Sequence, residues 1–353
     1  MPIRKKQELD TPVLLMDLDA MDYNLATMAQ FSREHKVRVR PHFKNHCILP
    51  LATRQVDAGA IGITVARVRH AEALVGQGVQ SILIANEIVD EPRIKRLLDL
   101  SHQAEIIVAV DNPQVIDDMG RWARNEKSPL NVVVDVDLGL GRCGASAQEA
   151  LSLAQAALGA GLRVRGLMGY EGHLQKLLDT EESRRVRSVA AKTLVETRQL
   201  LEKNRIPVDI VTTGGTGSYK TLAGFPGITE LQVGSYLLME TIYVPFVPDF
   251  RLGLTVLATV ISKKDGDHLV VDAGVKALSG ERGLSSIKDM GGLRLSTLHA
   301  EHGIVQITDP ITAPKVGDKL EFWVAYADAT VHLHREMYGI RDGIVEEVFK
   351  IEY

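Results

Sequence analysis

The chain has 353 residues, and its 41 lysines and arginines nearly balance its 45 aspartates and glutamates, which leaves a net charge of -4. Because neither sign forms a long run, the composition excludes the basic surface of a nucleic-acid-binding protein and favours a small-molecule partner. The apolar stretches fall short of the ~18 residues that a membrane span requires. With Cys47 and Cys143 as its only cysteines, we expect a cytoplasmic protein with reduced thiols and no disulfide.

Short β-branched runs alternate with amphipathic stretches from Thr11 onward. Strands are predicted, in chain order, in VLLMDL, VRVRP, IGITVA, SILIAN, EIIVAV, NVVVDVD, RVRGLMGY, VDIVTTGG and TELQVGSYLLM. Near-continuous apolar strands separated by helical patterns indicate a parallel sheet that helices cover on the outside. About eight such units predict a closed (β/α)8 TIM-like barrel, with an open doubly wound sheet as the alternative.

The pattern changes after Val247. Strand-like runs now follow one another without a long helical period, and turn sequences such as DGD at 265–267 separate them. These runs are LTVLATVISKK, HLVVDAG, LRLSTLHAEHGIVQI, KLEFWVAY and MYGIRDGIVEEVFKI. We therefore predict an α/β chain in which residues 12–246 form the barrel, and residues 1–11 and 247–353 form an all-β domain.

Polar clusters lie where the predicted barrel strands end. They are RPHFKNH after the second strand, DLGLGRCG after the sixth, GYEGH after the seventh, TTGGTGSY after the eighth and QVGSY in the ninth. Because the loops that follow barrel strands converge at one face, we expect these clusters to form a single site.

TTGGTGSY, residues 212–219, combines three glycines with hydroxyl side chains between an apolar strand and a predicted helix. Glycine lets backbone N–H groups turn toward an anion, and a helix start adds partial positive charge. A phosphate site is therefore preferred over a plain glycine-rich turn, and Gly234 and Ser235 would close the same cradle.

Lys44 stands between His42 and His46 and follows Arg40. A lysine crowded by these side chains should lose its proton more readily than a solvated lysine, which favours Schiff-base formation. Taken alone, Lys44 is more often a surface residue. Together with a phosphate cradle it indicates pyridoxal phosphate, whereas a sugar-phosphate barrel would leave Lys44 without a role.

GLGRCG is a literal G-x-G-x-x-G sequence after a predicted strand, so a dinucleotide site is an alternative. It is disfavoured because several strand–helix units precede it and no clear ribose-binding acid follows. Arg142 within this sequence is more informative, since a fixed cation can hold the ring oxygen of a pyridoxal cofactor as an anion.

Taken in order, RPHFKNH, DLGLGRCG, GYEGH, GGTGSY, VGSYLLME, DAGVKALS, EHG and the final TVHL and RDG resemble the motifs of the D-threonine aldolase and D-serine dehydratase family. The resemblance extends from TPVLLMDLDAM to the C-terminus. It implies a fold type III, alanine-racemase-like pyridoxal phosphate enzyme with an N-terminal barrel and a C-terminal β domain. It also implies a homodimer with sites shared across the interface.

The resemblance implies roles for single residues. Lys44 would bind the cofactor covalently, Arg142 and Tyr170 would contact its ring, and the catalytic His173 would lie near the substrate hydroxyl. The remaining cofactor-binding residues would surround the phosphate: Thr213, Gly214, Gly215, Thr216, Gly234, Ser235 and Tyr236.

Family members carry a His-x-Cys or His-x-Asp pair that binds a divalent metal. Here Tyr326 replaces the histidine and Asp328 remains. Tyrosine ligates poorly at neutral pH because its phenol, with a pKa of roughly 10, must first lose a proton. Metal binding is thus disfavoured, and an aspartate would suit Mn²⁺ or Mg²⁺ better than zinc. If this segment is a strand, His332 and His334 share the face of Asp328.

The activity implied by the resemblance is that of a pyridoxal phosphate-dependent lyase acting on D-β-hydroxy-α-amino acids. We expect retro-aldol cleavage to glycine and an aldehyde, with His173 as the base at the β-hydroxyl. The alternatives are β-elimination of the D-serine dehydratase type and amino-acid racemisation or epimerisation. A non-catalytic pyridoxal phosphate carrier is the alternative from a different class of protein.

Overall fold

The structure is a computed structural model and describes residues 4–128, 130–264, 268–309 and 314–352. The chain divides into two compact units. The barrel unit comprises Met28–Lys44 and Leu49–Gly234. The β unit comprises Met1–Thr27, Asn45–Ile48 and Ser235–Tyr353.

The strands follow one another through the whole described chain. In chain order they are β1 Val13–Asp17, β2 Arg38–Val39, β3 Ile63–Val65, β4 Ser81–Glu87, β5 Glu105–Val110, β6 Asn131–Asp135, β7 Arg163–Met168, β8 Ile210–Thr213, β9 Glu230–Leu231, β10 Leu254–Lys264, β11 His268–Val271, β12 Ser286–Ile287, β13 Leu293–Leu298, β14 Gly303–Ile307, β15 Lys319–Trp323, β16 Glu336–Arg341 and β17 Ile344–Lys350.

The α-helices concentrate between the strands of the barrel unit. In chain order they are α1 Leu18–His35, α2 Leu49–Asp57, α3 Val68–Gly76, α4 Glu91–Ser101, α5 Pro113–Asn125, α6 Ala147–Gly159, α7 Glu181–Lys203, α8 Tyr219–Ala223 and α9 Ala327–Thr330. Among the described residues, no helix combines the length and the apolar character needed to cross a bilayer. Both cysteines are free, as predicted.

Polar residues at the helix starts explain where the helices of the barrel unit begin. The side chain of Asn112 accepts hydrogen bonds from two backbone N–H groups of the first turn of α5, and Pro113 occupies the first helical position. Ser146 and Glu149 form a reciprocal capping box at the start of α6. Each cap satisfies backbone donors that a helix leaves unpaired, and each is typically worth about 1 kcal/mol.

Strands β2 to β9 form a parallel sheet in the spatial order β2-β9-β8-β7-β6-β5-β4-β3. The two edges of this sheet meet, because the N–H of Ile61 donates to the carbonyl of Val39 at 3.0 Å and that of Thr64 to Pro41 at 2.8 Å. His42 forms a parallel bridge with the same Thr64. These contacts join β2 to β3 and confirm the predicted closed barrel over the open doubly wound sheet.

The apolar core of the barrel unit includes side chains from five neighbouring strands. They are Leu83, Ile107, Ala109, Val133, Met168 and Ile210, and all are buried. Fully burying one large aliphatic side chain stabilises a fold by about 1.5–3 kcal/mol, so this cluster holds the strands in register and fixes the positions of their ends.

The first predicted barrel strand lies elsewhere. β1 pairs antiparallel with β10 and parallel with β16, so it belongs to the sheet of the β unit. VLLMDL is apolar because four of the five residues of β1 are buried, and an apolar run does not reveal which strand it will pair with. The domain limits, with 12–246 as the barrel and 1–11 with 247–353 as the β domain, stay a prediction. The strand itself was predicted correctly, but its assignment to the barrel was wrong.

The remaining strands of the β unit confirm the predicted C-terminal sheet. Its order is β13-β14-β11-β10-β1-β16-β17, with β15 paired to β10 and β12. The predicted turn at 265–267 lies outside the described residues. After β15 the chain forms α9 and a 3-10 helix at Val331–Leu333, between the two predicted strands KLEFWVAY and MYGIRDGIVEEVFKI.

Candidate active site

The predicted site residues of the barrel unit lie at the carboxyl ends of five neighbouring strands. In the spatial order of the sheet, Lys44 follows β2, Gly234 follows β9, Thr213 ends β8, Tyr170 follows β7 and Arg142 follows β6. Because the carboxyl ends of parallel barrel strands meet at one rim, these residues belong to one face of the barrel.

Backbone hydrogen bonds continue beyond the strands and hold the site segments side by side. The N–H of His42 donates to the carbonyl of Val233 at 2.9 Å, and the N–H of Gln232 donates to that of Thr213 at 3.0 Å. The segment that carries Lys44 therefore runs beside the segment that carries Gly234, which runs beside the start of the glycine-rich loop. Lys44 itself is exposed, in a 3-10 helix at Phe43–Asn45.

Arg40 has a different role from the one that the sequence suggested. Its guanidinium is buried and donates to both carboxylate oxygens of Glu230, at 3.0 and 3.3 Å, and to the hydroxyl of Ser81 at 2.8 Å. Glu230 compensates the charge that was expected to act on Lys44. Arg40 is thus a structural residue of the barrel, and its predicted effect on Lys44 loses its basis.

The loops after β6 and β7 bring three predicted residues together. The guanidinium carbon of Arg142 lies 5.5 Å from the ring centroid of Tyr170. The exposed imidazole of His173 approaches Gly139, since a Cβ built on that glycine would lie 3.7 Å from His173 Cε1 and Nε2. A cation, a phenol ring and an imidazole therefore occupy neighbouring loops of the same rim.

The glycines of GLGRCG serve the shape of their own loop. The N–H groups of Gly139 and Gly141 both donate to Asp137 Oδ1, at 2.9 and 3.1 Å. Amides that bind a carboxylate of the same loop are not directed at a pyrophosphate. The geometry of this loop therefore gives the dinucleotide alternative no support.

The glycine-rich loop after β8 has the close packing that its composition predicted. Gly214 has φ +83°, a conformation that favours glycine. A Cβ on Gly217 would lie 1.8 Å from the carbonyl oxygen of Gln175, so no other residue fits there. The loop thus presents backbone in place of side chains, which suits a phosphate group. The helix that follows, α8, has only five residues, so we assign no role to its dipole.

Several donors of this loop are directed inward. The hydroxyls of Thr213 and Ser218 both donate to Glu171, at 3.0 and 2.6 Å, and the N–H of Gly217 donates to Gln175 Oε1 at 2.9 Å. Glu171 and Gln175 were not singled out from the sequence. The acid inside GYEGH, directly after an apolar strand, was the one available signal.

Three carboxylates at the ends of β4, β5 and β6 were not predicted as site residues. They are Glu87, Asp111 and Asp135, of which Asp135 is buried. Burial raises the pKa of Asp135 to about 8; the nearby and hydrogen-bonded Glu87 and the charge of Asp111 act in the same direction, and Arg142 opposes them. Asp135 therefore holds a proton at neutral pH beside the predicted cofactor residue Arg142.

The β unit holds the other predicted residues. Asn45 Nδ2 donates to Asp328 Oδ1 at 3.0 Å and to Ser235 Oγ at 3.4 Å. The hydroxyl of Ser235 donates in turn to the buried Glu240 at 2.9 Å. Tyr236 is buried, and its ring lies 5.6 Å from that of Phe250. Ser235 and Asp328 thus share Asn45, whereas Tyr236 packs in the core.

The residues near Asp328 do not fit a metal site. Burial, followed by the charge of Asp328, raises the pKa of Tyr326 to about 12, which keeps the phenol protonated. His332 contacts Cys47 Sγ at 3.8 Å, and His334 Nε2 lies 2.8 Å from the carbonyl oxygen of Ala277. Across the described ranges, no group of three or more His, Cys, Asp or Glu side chains is placed to hold a metal ion.

The condition under which His332 and His334 would share a face with Asp328 is not met, because this segment is helical and not a strand. Asp328 lies in α9, and His332 lies in the 3-10 helix that follows. Alternation of side chains between two faces applies to strands only. The sequence could not exclude a strand here because KLEFWVAY runs into it without a turn signal.

A closed barrel with a lysine, a glycine-rich loop and an arginine at one rim is the arrangement of the alanine-racemase-like class. Residues 16–241 match the family "Alanine racemase, N-terminal domain", and residues 253–340 match the "Putative serine dehydratase domain". The chain belongs to the alanine-racemase-like family that includes D-threonine aldolase, as the motifs predicted. Membership implies pyridoxal phosphate as the cofactor.

Three similar proteins cover nearly the whole chain. D-threonine aldolase of Arthrobacter sp is 36% identical over 349 residues, which cover 97% of this chain and 92% of that protein. 3-Hydroxy-D-aspartate aldolase of Paracoccus denitrificans (strain Pd 1222) is 31% identical over 364 residues, which cover 99% and 94%. The crystal structure of D-threonine aldolase from Filomicrobium marinum superposes with a TM-score of 0.95 at 32% identity and covers 98% of this chain and 95% of that one.

Proposed function

We propose that this protein is a pyridoxal phosphate-dependent lyase that cleaves D-β-hydroxy-α-amino acids to glycine and an aldehyde. One observation carries the proposal. Five neighbouring strand ends of a closed barrel bring Lys44, the glycine loop, Arg142, Tyr170 and His173 to the same rim. The similarity to a D-threonine aldolase and a 3-hydroxy-D-aspartate aldolase supports the substrate class and the aldol reaction.

We assign the cofactor to residues of the barrel unit. Lys44 would bind its aldehyde carbon covalently, Arg142 and Tyr170 would contact its ring, and the loop of Gly214–Thr216 with Gly234 would hold its phosphate. When bound, pyridoxal phosphate accepts the electron pair that is left at Cα after a bond to that carbon breaks. The roles predicted for Ser235 and Tyr236 stay predictions.

The N–H groups of Gly215 and Gly217 donate to Ser218 Oγ and Gln175 Oε1. We therefore propose the backbone N–H groups of Gly214 and Gly234 as phosphate donors. The hydroxyl hydrogens of Thr213 and Ser218 are directed at Glu171, and that of Ser235 is directed at Glu240. A hydroxyl that donates its only hydrogen elsewhere cannot donate it to a phosphate oxygen. Thr213 would therefore act by fixing the start of the loop, and the role predicted for Thr216 stays a prediction.

His173 is the residue that we propose as the catalytic base. Its imidazole is exposed at the rim, beside Gly139 and in the same pair of loops as Arg142 and Tyr170. Imidazole can exchange a proton near neutral pH, so it can accept the proton of the substrate β-hydroxyl as the Cα–Cβ bond breaks. The freed electron pair is held at Cα, and a proton returned to that carbon gives glycine.

The proposal gives no step to a metal, because Tyr326 replaces the family histidine. A cytoplasmic location and a homodimer complete the proposal. The first rests on the two isolated cysteines and the second on the resemblance. Light scattering on the purified protein tests whether it is a homodimer. A particle with the mass of one 38.7 kDa chain would contradict the homodimer.

β-Elimination is the second candidate, since residues 253–340 match a serine dehydratase domain. The two reactions differ in their products. Cleavage of D-threonine yields glycine and acetaldehyde, whereas elimination from D-serine yields pyruvate and ammonia. Exchange of the Cα hydrogen for deuterium, without either product, would indicate racemisation.

The cofactor assignment is tested by the visible absorbance of the protein saturated with pyridoxal phosphate. We expect wild-type protein to retain the absorbance of lysine-bound cofactor after gel filtration, and Lys44→Ala to lose it together with glycine formation from D-threonine. Lys36→Ala, in the exposed turn after α1, is the matched control and should behave as wild type. A colourless wild-type protein would refute the proposal.

A further inference from the structure

Glu171 is a fully buried carboxylate in the segment between Tyr170 and His173. Its Oε1 accepts hydrogen bonds from Gln175 Nε2 and from the hydroxyl of Ser218, both at 2.6 Å. Its Oε2 accepts one from the hydroxyl of Thr213 at 3.0 Å. Two of these three donors belong to the glycine-rich loop, so Glu171 connects the loop after β7 to the loop after β8.

Gln175 makes the same connection through its amide. Its Nε2 also donates to Ser218 Oγ at 2.9 Å, and its Oε1 accepts the N–H of Gly217 at 2.9 Å. Ser218 Oγ accepts the N–H of Gly215 at 3.2 Å. The backbone conformation of the glycine loop is thereby fixed from outside the loop, by two side chains of the preceding loop.

The carboxylate compensates for the freedom that the glycines introduce. Glycine-rich backbone loses more conformational entropy on ordering than any other, so such a loop needs external contacts to keep one conformation. Hydrogen bonds to a carboxylate are about twice as strong as neutral ones, and an unsatisfied buried carboxylate would be costly. Glu171 therefore holds Thr213 and Ser218, at either end of the loop, in place.

The buried charge has a counterpart. Arg187, from α7, is also buried and donates to the carbonyl of Leu174, at 3.2 and 3.1 Å, and to that of Leu177 at 3.1 Å. Burial lowers the pKa of Arg187, and the charges of Asp179 and Glu171 oppose that effect. An arginine on one side and the loop hydroxyls on the other thus fix the segment that carries His173.

We propose that Glu171, with Gln175, is a positioning residue that preorganises the glycine loop for the phosphate of the cofactor. The inference rests on the proposed function, and it adds a specific consequence: the network favours the phosphorylated cofactor over pyridoxal, which lacks the group that the loop holds. Because His173 lies two residues after Glu171, the same contacts fix the distance between the phosphate loop and the proposed base.

The test compares the binding of pyridoxal phosphate and pyridoxal to cofactor-free protein by equilibrium titration. In Glu171→Gln, an NH₂ group takes the place of one of the two carboxylate oxygens. This NH₂ group cannot accept the hydrogen bond that Thr213, Ser218 or Gln175 donates to that oxygen in wild type. We expect the Kd for pyridoxal phosphate to rise about tenfold or more, the effect of losing one charge-assisted hydrogen bond. The Kd of Glu171→Gln for pyridoxal should stay at the wild-type value. The control is Glu181→Gln, at an exposed position at the start of α7; its Kd values for pyridoxal phosphate and for pyridoxal should both equal those of wild type.

A second variant keeps the proposal testable if Glu171→Gln does not fold. Gln175→Met keeps the volume of the side chain but removes its contacts to Glu171, Ser218 and Gly217, and it should give the same phosphate-specific loss. Unchanged affinity for pyridoxal phosphate in folded variants would overturn the proposal, as would equal losses for both ligands, which indicate a merely structural role. If wild-type protein binds neither compound, the proposed function fails and this proposal fails with it.

Discussion

The substitution Asp135→Asn should change how the stability of the protein depends on pH. Asp135 ends β6, is 5% exposed, and has a pKa that burial, Glu87 and Asp111 raise to about 8 from an ordinary value of 3.8. At neutral pH the folded protein therefore keeps a proton on Asp135 that the unfolded chain releases. Asparagine has the shape of the protonated acid and carries no charge at any pH.

The direction of this pH dependence follows from the number of protons that the folded and the unfolded protein bind. Between about pH 4 and pH 8 the folded protein binds one proton more than the unfolded chain, so its free energy of unfolding falls as the pH rises. The slope is at most about 1.4 kcal/mol per pH unit, and across this window the change is on the order of 5 kcal/mol. The contribution of Asp135 is complete below pH 4 and is lost as the pH rises through 8.

Urea unfolding of cofactor-free protein at pH 5, 7 and 9 measures the effect. We expect Asp135→Asn to be more stable than wild type by roughly 1.5 kcal/mol at pH 5 and by about 5 kcal/mol at pH 9, so that the difference grows with pH. Asp117→Asn, on an exposed position of α5, removes a carboxylate of the same type from the surface and should leave the wild-type profile unchanged. Parallel profiles for wild type and Asp135→Asn would refute the reasoning.

Two further predictions concern the proposed base and the replaced metal ligand. His173→Gln should lower the rate of glycine formation from D-threonine by roughly 100-fold or more, the usual contribution of a general base, without changing the Kd for pyridoxal phosphate; a rate near that of wild type would contradict the role. Tyr326→His restores a His-x-Asp pair with Asp328 and should bind Mn²⁺ at least about tenfold more tightly than wild type in equilibrium dialysis, since imidazole ligates without losing a phenolic proton. Equal Mn²⁺ affinity in the two proteins would show that Tyr326 is not what limits metal binding.

The barrel could be predicted because its strands and helices have different hydrophobic periods, and because strands such as β5, β6 and β8 are buried on both faces along most of their length. The assignment of β1 failed for the same reason. Its residues are apolar because the strand lies between β10 and β16, and a central strand of a mixed sheet has the same composition as a barrel strand. A hydrophobic pattern reports burial, whereas pairing depends on contacts with residues more than 200 positions away.

The sequence predicts those site residues whose positions are determined by the ends of the barrel strands. Lys44, Arg142, Tyr170 and His173 each follow an apolar run directly, so the topology of the barrel brings them to one rim. The contacts of Glu171 with Thr213 and Ser218 span more than 40 positions, and no local pattern indicates them. The ion pair of Arg40 with Glu230 could not be predicted for the same reason, because it joins two neighbouring barrel strands that are 190 positions apart in the sequence.

The protonation of Asp135 bears on how Arg142 can act. Arg142 opposes the raised pKa of Asp135, so the two groups interact electrostatically. An ionised Asp135 would pair with the guanidinium and reduce its attraction for an anionic oxygen of the cofactor. Because burial and Glu87 keep Asp135 protonated at neutral pH, this carboxyl group does not neutralise Arg142. Of the three acids at the ends of β4 to β6, Asp135 therefore adds no negative charge beside Arg142 at neutral pH.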